Sequence, residues 1–82
     1  MTMIVWDEPK RQRNLAKHGL DFADLDEWFF LGAVTALAKD DRYIAIGRLA
    51  DGTIAGVYAL LGSEAISVIS MRPASRKERS LL

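Results

Sequence analysis

The amino-acid sequence predicts a single α+β domain, in which a small antiparallel β-sheet packs against two N-terminal helices and a short C-terminal helix. At 82 residues the chain is large enough for one hydrophobic core. Its first third carries two segments with helix-capping residues and helical spacing of apolar side chains. From residue 33 onward β-branched segments alternate with turn-forming residues, as in a β-meander. We therefore expect residues 1–82 to form one domain, with a three-strand meander and one or two further short strands.

A first helix is predicted from about Pro9 to His18, after a short β-prone segment from Met3 to Trp6. Asp7 is suited to the N-cap position, and Pro9 is suited to the first turn, where its missing N–H costs nothing. Gly19 is suited to a left-handed C-cap. Four polar residues share one face of this helix: Lys10, Arg13, Asn14 and Lys17.

A second helix is predicted to begin at Asp21, which is suited to the N-cap, with Leu20 and Leu25 forming a hydrophobic staple around it. Leu25, Trp28 and Phe29 recur at helical spacing, so we expect all three in the hydrophobic core. The alternative is that these aromatic residues stack on nucleic-acid bases, but an apolar helical pattern favours the core.

Four strands are predicted downstream, separated by turns. Lys39-Asp40-Asp41 is turn-forming, and Asp51-Gly52 is a strong signal for a two-residue hairpin. Gly62-Ser63 is a weaker signal, which would place Leu61 opposite Glu64. The predicted strands are Ala33 to Leu37, Arg42 to Leu49, Thr53 to Leu61 and Glu64 to Met71.

Two-residue loops would fix how these strands pair. Arg48 would lie opposite Ala55, and Arg72 would lie opposite Thr53. One face is then expected to carry Ile44, Ile46, Val57, Ala59, Ile66 and Val68 and to end at Arg48, Ser70 and Arg72. The other is expected to carry Tyr43, Leu49, Ile54, Tyr58, Leu60, Ile69 and Met71. Because both faces are apolar, we expect the helices to cover one, and the C-terminal helix, a partner chain or both to cover the other.

The charges sum to zero, with 11 Lys and Arg against 11 Asp and Glu, but they are sorted along the chain. Acidic residues dominate from Asp21 to Asp41, and basic residues dominate from Lys10 to Lys17 and from Arg72 to Arg79. This separation favours two surfaces with different partners, although solvated surface charge is the alternative. Within the second basic segment, Ser75 and Glu78 have the spacing of a capping box, which predicts a short helix.

The composition also excludes several classes of site. The sequence contains no cysteine, so it has no disulfide, thiolate metal site or cysteine nucleophile. Its single histidine, His18, lies in no metal-ligand spacing, and we expect no metal and no cofactor. The N-terminus lacks the layout of a signal peptide, and no apolar run approaches the length of a membrane span. We therefore expect a cytoplasmic protein without membrane contact.

Three segments in this order resemble the BrnT toxins of bacterial type II toxin–antitoxin systems. The segments are Trp6-Asp7-Glu8-Pro9-Lys10 leading through Asn14 to Lys17-His18-Gly19-Leu20 and Phe22; Asp41-Arg42-Tyr43-Ile44-Ala45-Ile46-Gly47; and Ile69-Ser70-Met71-Arg72 followed by Ala74, Ser75 and Glu78-Arg79. The resemblance covers nearly the whole chain.

This resemblance implies a RelE-like fold and a ribonuclease that inhibits translation. It also implies a BrnA-like antitoxin with a ribbon-helix-helix DNA-binding part. The toxin–antitoxin complex would repress its own operon, so that the toxin would meet operator DNA only through the antitoxin.

A metal-independent ribonuclease must deprotonate the ribose 2′-OH, stabilise a pentavalent phosphate and protonate the leaving oxygen. Together with the resemblance, this assigns Arg72 and Arg76 to the phosphate, with Arg48 beside them, because the arginine fork grips phosphate with two bonds. His18 or Lys17 would be the base or acid, and the products would carry a 2′,3′-cyclic phosphate. Further RNA contacts are expected from Lys10, Arg13, Lys77 and Arg79.

Other roles remain open for these residues. Arg48 and Arg72 would instead pair with Asp51 or Glu64, and the cations of the last helix would simply be solvated. His18 would bond the last carbonyls of its helix, and Glu78 would act as a capping residue. At the level of the whole protein, the alternatives are a catalytically inactive binding module, acting as an antitoxin partner or co-repressor, and a structural homodimer formed through an apolar sheet face.

Overall fold

A computed structural model describes residues 2–50 and 52–82. These residues form a five-stranded sheet in the order β1-β5-β4-β3-β2. The elements are β1 (Met3–Trp6), α1 (Glu8–His18), a 3-10 turn (Phe22–Asp24), α2 (Glu27–Gly32), β2 (Val34–Leu37), β3 (Arg42–Leu49), β4 (Gly52–Leu61), β5 (Ala65–Pro73) and α3 (Arg76–Arg79). The predicted α+β class is confirmed, but the sheet is mixed, because the edge strand β1 runs parallel to β5.

Helix α1 forms where the sequence predicts it. The Asp7 side chain accepts a hydrogen bond from the Lys10 backbone N–H at 3.2 Å and caps the first turn. Gly19 ends the helix with φ of 68°, and its N–H donates to the Leu15 carbonyl at 2.8 Å. Both capping predictions are confirmed, and the helix begins at Glu8, one residue before the predicted start.

The prediction of the second helix was wrong about the residue at which the helix begins and about one of its three core residues. Asp21 caps only the 3-10 turn, and the backbone becomes extended at Leu25. Helix α2 begins afresh at Glu27, with Asp26 as its N-cap. The restart breaks the helical phase, so Phe29 is buried at 5% exposure while Trp28 points outward at 79%. The core predictions for Leu25 and Phe29 are therefore confirmed, and the one for Trp28 was wrong.

Both hairpins pair their strands differently from the prediction. At the first, Gly52 pairs with Leu49, whereas the prediction paired Thr53 with Ala50, so Arg48 lies opposite Thr53 instead of Ala55. Ala50 has φ of 49°, and Asp51 lies outside the described residues. The predicted pairing at this hairpin was therefore wrong by two residues.

At the second hairpin, Leu61 pairs with Ala65 across three residues, not with Glu64. A bulge in β5 opposite Val57 and Tyr58 adds one more residue, which brings Arg72 opposite Ala55 rather than Thr53. The three-residue loop and the bulge together account for the shift of two residues at the end of β5.

A shift in strand pairing moves a side chain to the other face of the sheet only when the shift is an odd number of residues. A shift of two residues preserves the face of a side chain, so Arg48, Ser70 and Arg72 share a face as predicted. Before the bulge the shift is only one residue, which turns Ile66 and Val68 over to the other face. Val68 is 2% exposed within the core. The prediction for those two residues was therefore wrong.

The core lies on the face of the sheet that the helices cover. It comprises Phe22, Leu25, Phe29, Ala45, Ile54, Tyr58, Val68 and Met71. The opposite face carries Ile44, Ile46 and Val57, which lie outside this cluster, although Ile46 is itself buried at 3% exposure. Covering of that face by a partner chain stays a prediction. No helix in residues 2–50 and 52–82 combines the length and apolar character that a membrane span needs.

Asn14 joins α1 to the sheet. β1 pairs with the first half of β5 only, up to Val68, so the later part of that edge needs another acceptor. The Met71 backbone N–H donates to Asn14 Oδ1 at 3.1 Å, and Asn14 Nδ2 donates to the Leu20 carbonyl at 3.2 Å. Asn14 is buried, so it supports the fold, although it shares a helix face with Lys10, Arg13 and Lys17.

Replacing Asn14 with alanine is expected to lower the free energy of unfolding by about 2–3 kcal/mol, because a buried backbone donor loses its acceptor. Urea denaturation followed by circular dichroism measures this change. The matched control is Gln12→Ala on the exposed side of the same helix, which we expect to cost about 0.5 kcal/mol or less. Equal losses in the two variants would contradict the assignment.

Candidate active site

One end of the sheet gathers arginines from different strands. β3 ends near Arg48, and β5 ends near Arg72, on the same face. The strand between them pairs Thr53 with Arg48 and Ala55 with Arg72. Two strand spacings and a two-residue offset place the Cα atoms of the arginines about 12 Å apart. We call this end of the sheet, together with α3, the cationic end.

Helix α3 begins at the cationic end because the chain after β5 stays beside β4. The Ala74 N–H donates to the Thr53 carbonyl at 2.9 Å, extending the pairing by one residue. Ser75 then caps α3, and the predicted capping box with Glu78 is confirmed. The helix carries three exposed cations: Arg76, Lys77 and Arg79.

The C-terminus of α1 reaches the same end of the sheet. A hollow lies between the end of α1 and the β3–β4 hairpin, lined by Gly19, Leu20, Asp24, Leu49, Ala50, Gly52 and Ile54. Lys17 is exposed and His18 is half-buried just before this hollow. His18 makes no side-chain hydrogen bond to any described residue, so the predicted alternative in which it bonds the last carbonyls of α1 is not seen there.

The cationic face of α1 runs beside β5. Lys10, Arg13 and Lys17 line a shallow hollow together with Asn14 and Ile69. Because Asn14 bonds the backbone of β5 next to Arg72, this hollow leads toward the cationic end. The candidates of α1 therefore lie beside β5 on the helix-covered side of the sheet, whereas Arg48 and Arg72 lie on the opposite face.

Arg72 is held by Glu78. Its Nη1 and Nη2 atoms donate to the two carboxylate oxygens at 2.7 and 2.8 Å. The Arg72 side chain is 41% exposed, and that of Glu78 is 20% exposed. Hydrogen bonding from Arg72 and from the Ser75 backbone lowers the pKa of Glu78 to about 2, while the Glu78 carboxylate raises the pKa of Arg72.

The sequence did not predict this partner for Arg72. The alternative partners that the sequence offers for Arg72 are Asp51, which lies outside the described residues, and Glu64, whereas it offers Glu78 only as a capping residue. Glu78 performs both tasks, because its Oε1 also accepts from the Ser75 N–H at 2.8 Å. The capping-box spacing was the usable signal, since it points the Glu78 side chain back toward the end of β5.

The other candidate arginines have no such partner in the described part of the chain. Arg48, Arg76 and Arg79 form no ion pair with a carboxylate of residues 2–50 or 52–82. Arg48 borders a shallow hollow with Ala50, Gly52 and Thr53. Within the same residues no group of three His, Asp or Glu side chains is arranged to hold a metal ion.

The pKa of Glu78 predicts an acid-dependent contribution to stability. Its ordinary value of 4.5 falls to about 2 in the fold, so the ion pair stabilises the protein above pH 4.5 and loses its effect as the pH falls toward 2. Glu78→Gln is therefore expected to be less stable than the parent at pH 7 and to match it near pH 2. Urea denaturation across this range measures the difference, and a constant gap would contradict the prediction.

The fold and its cationic end define a small α+β protein with accessible arginines at one end of a five-stranded sheet. The sequence profile of the family described as "Ribonuclease toxin, BrnT, of type II toxin-antitoxin system" matches residues 6–78. The structure is similar to the crystal structure of the Brucella abortus ribonuclease toxin, BrnT, with 56% sequence identity and a TM-score of 0.87 over 93% of this chain and 100% of that one. A comparison with curated protein sequences gives no match.

The chain belongs to the BrnT family of ribonuclease toxins of type II toxin–antitoxin systems. The family resemblance predicted from the sequence is therefore confirmed, as is the fold that it implied. Membership in a type II system also implies an antitoxin partner.

Proposed function

We propose that this protein is a metal-independent endoribonuclease that inhibits translation. The observation that carries the proposal is that three arginines from separate elements lie at one end of a rigid sheet: Arg48 from β3, Arg72 from β5 and Arg76 from α3. Helix α1, with Lys17 and His18 in its last turn, ends at the same end of the sheet on the face that the helices cover. Such groups stabilise a negatively charged phosphate directly.

The proposed reaction is an intramolecular transesterification of RNA. The 2′-oxygen loses its proton and bonds to the adjacent phosphorus, the bond from phosphorus to the 5′-oxygen breaks, and that oxygen takes up a proton. The products are a 2′,3′-cyclic phosphate and a 5′-hydroxyl. Arg72 and Arg76 contact the pentavalent phosphate, and His18 or Lys17 transfers the protons.

The remaining cations hold the RNA backbone on either side of the reacting phosphate. Arg48, Lys77 and Arg79 extend the cationic end, and Lys10 and Arg13 continue it along α1. Contacts of this kind contribute affinity that falls with salt and contribute little sequence specificity.

Replacing Lys10 and Arg13 together with alanine is expected to raise KM several-fold and leave kcat nearly unchanged. Each phosphate contact contributes about −0.7 to the slope of log affinity against log salt for single strands, so the double variant should lose about 1.4 of that slope. Fluorescence anisotropy with a labelled oligonucleotide measures it. Lys39→Ala, in the β2–β3 turn, is the control that should keep the parental slope.

We further propose that the antitoxin partner is a BrnA-like ribbon-helix-helix protein. It would neutralise the ribonuclease, and the complex would repress its own operon, with DNA contacts made by the antitoxin. Co-purification with the ribbon-helix-helix protein encoded beside the toxin gene, followed by a cleavage assay with the complex, tests this assignment. Cleavage at full rate by the complex would contradict it.

The central experiment incubates the purified protein with total RNA in the presence of EDTA. We expect cleavage that EDTA does not prevent, with 2′,3′-cyclic phosphate ends identified by mass spectrometry of the fragments. Cleavage that appears only with added divalent ions would contradict the metal-independent mechanism. Absence of cleavage, combined with tight antitoxin binding, would favour a catalytically inactive binding module.

A second candidate function follows from the sheet face that the helices leave outside the core. Ile44 and Val57 are only half-buried there, while Val34 at its edge is exposed. A homodimer formed through this face would bury that surface. Size-exclusion chromatography with light scattering on the isolated protein tests it, because the homodimer predicts twice the chain mass in the absence of any antitoxin.

A further inference from the structure

The hydrogen bonds of Arg72 use only part of its guanidinium group. A guanidinium carries five N–H donors in one plane. Nη1 donates to Glu78 Oε1 at 2.7 Å and to the Pro73 carbonyl at 3.4 Å, and Nη2 donates to Glu78 Oε2 at 2.8 Å. Glu78 thus occupies the outer edge of the group. Nε–H and the second Nη2–H, which form the neighbouring edge, have no acceptor among residues 2–50 and 52–82.

Another arginine of this protein shows what the neighbouring edge can do. Arg11 donates from Nε and Nη2 to the two oxygens of Asp21 at 2.6 and 2.8 Å. At the same time its Nη1 donates to Glu8 Oε2 at 2.7 Å. One guanidinium therefore holds two anionic groups at once, and the edge that binds Asp21 in Arg11 is the edge that stays open in Arg72.

We propose that Glu78 is a positioning residue that holds Arg72 by its outer edge and presents the open Nε–Nη2 edge to a phosphate of the RNA. This inference rests on the proposed ribonuclease function and adds a residue to it. Phosphate oxygens match the spacing of this edge, so that Arg72 would bind them with two parallel hydrogen bonds.

Glu78 is well placed to hold Arg72 still. Its carboxylate accepts from the Ser75 N–H at 2.8 Å, and its own N–H donates to Ser75 Oγ at 3.1 Å. The bond from the Ser75 backbone N–H fixes the carboxylate, while the bond to Ser75 Oγ caps the first turn of α3. The low pKa of Glu78, about 2, keeps the carboxylate charged at neutral pH, while Arg72 stays accessible to a ligand.

The charges indicate which kinetic constant should respond. Because Arg72 and Glu78 together are neutral, the pair adds little long-range attraction for RNA, which comes instead from Arg76 and the other exposed cations. The contribution of Glu78 is geometric, through the orientation of the Nε–Nη2 edge toward the phosphate. Errors of orientation reduce the rate of the chemical step more than they reduce binding.

The test compares Glu78→Gln and Ser75→Ala with the parent in cleavage of a short RNA, with rates corrected for the folded fraction. Glutamine keeps the shape of the side chain but cannot hold both guanidinium nitrogens as a charged acceptor. We expect kcat to fall about 10-fold or more in Glu78→Gln, with KM changed less than about twofold. Ser75→Ala weakens the cap of α3 but leaves the carboxylate on Arg72, so we expect the parental kcat.

Three results would overturn the inference. If Glu78 only stabilises α3, both variants lose stability and neither changes kcat or KM. If Glu78 competes with the phosphate, Glu78→Gln lowers KM and raises the rate. The third result comes from NMR of the parent protein bound to a 2′-O-methyl oligonucleotide, which cannot be cleaved. We expect the Arg72 Nε–H resonance to shift on binding. A resonance that does not move would contradict the binding of phosphate at the open edge. A parent that cleaves no RNA but shows this shift would contradict the proposed function alone.

Discussion

The double variant Arg72→Ala, Arg76→Ala is expected to cleave RNA at least 10²- to 10³-fold more slowly than the parent, because each lost transition-state contact costs on the order of that factor. The two arginines come from the end of β5 and the start of α3, where Arg76 is exposed and the Arg72 side chain is 41% exposed. The expected loss lies mainly in kcat, since a contact that forms with the pentavalent phosphate acts after RNA has bound.

A matched control is available on the sheet itself. Arg42 lies at the start of β3, on the same face as Arg48 and about 20 Å from it. Arg42→Ala changes the net charge by the same amount as one site variant and should leave kcat at the parental value. Single-turnover cleavage of a defined RNA measures both. Full activity in the double variant, or an equal loss in Arg42→Ala, would contradict the placement of the active site.

Phe29→Ala is expected to lower the free energy of unfolding by about 3–5 kcal/mol, whereas Trp28→Ala should change it by about 0.5 kcal/mol or less. Phe29 is 5% exposed and packs edge-on against Phe30 at a centroid distance of 5.2 Å. It also lies directly over Gly47, where a Cβ would approach the Phe29 ring to 3.1 Å. Truncation therefore leaves a cavity at the contact between α2 and β3.

Denaturation with urea, followed by circular dichroism, compares these neighbouring residues directly. For a domain of this size a loss of 3–5 kcal/mol is a large share of the total stability, so Phe29→Ala should be partly unfolded at 37 °C. Trp28 is 79% exposed and should be dispensable for folding. A large loss in Trp28→Ala, with none in Phe29→Ala, would show that the orientation of α2 is wrong.

These aromatic residues also show where sequence patterns stop being informative. Leu25, Trp28 and Phe29 have helical spacing, and that spacing predicted three core residues. The extended backbone at Leu25 breaks the helix, so the spacing does not translate into one continuous face. A second N-cap, Asp26, was present in the sequence, but deciding between two possible starts needs the packing of α2 against the sheet.

The sequence likewise predicted some features of the candidate site and missed others. The arginines at the end of β5 and in α3 were predicted from the sequence, with the family resemblance assigning their roles. Arg48 also lies on the predicted face, although both hairpin registers were wrong, because each error amounted to two residues by the time the strands reached the cationic end. The carboxylate that holds Arg72 was not predicted as its partner.

The amino-acid sequence by itself determined the elements whose causes are local: the caps of α1 and α3, the extent of β3, and the segments that identify the family. Capping and strand formation depend on residues within a few positions of one another, so they are visible in the sequence. Only the tertiary structure decided the pairing of β1, the bulge in β5 and the partner of Arg72. Each of these depends on contacts between elements, where one residue of loop length or one bulge changes which side chains meet.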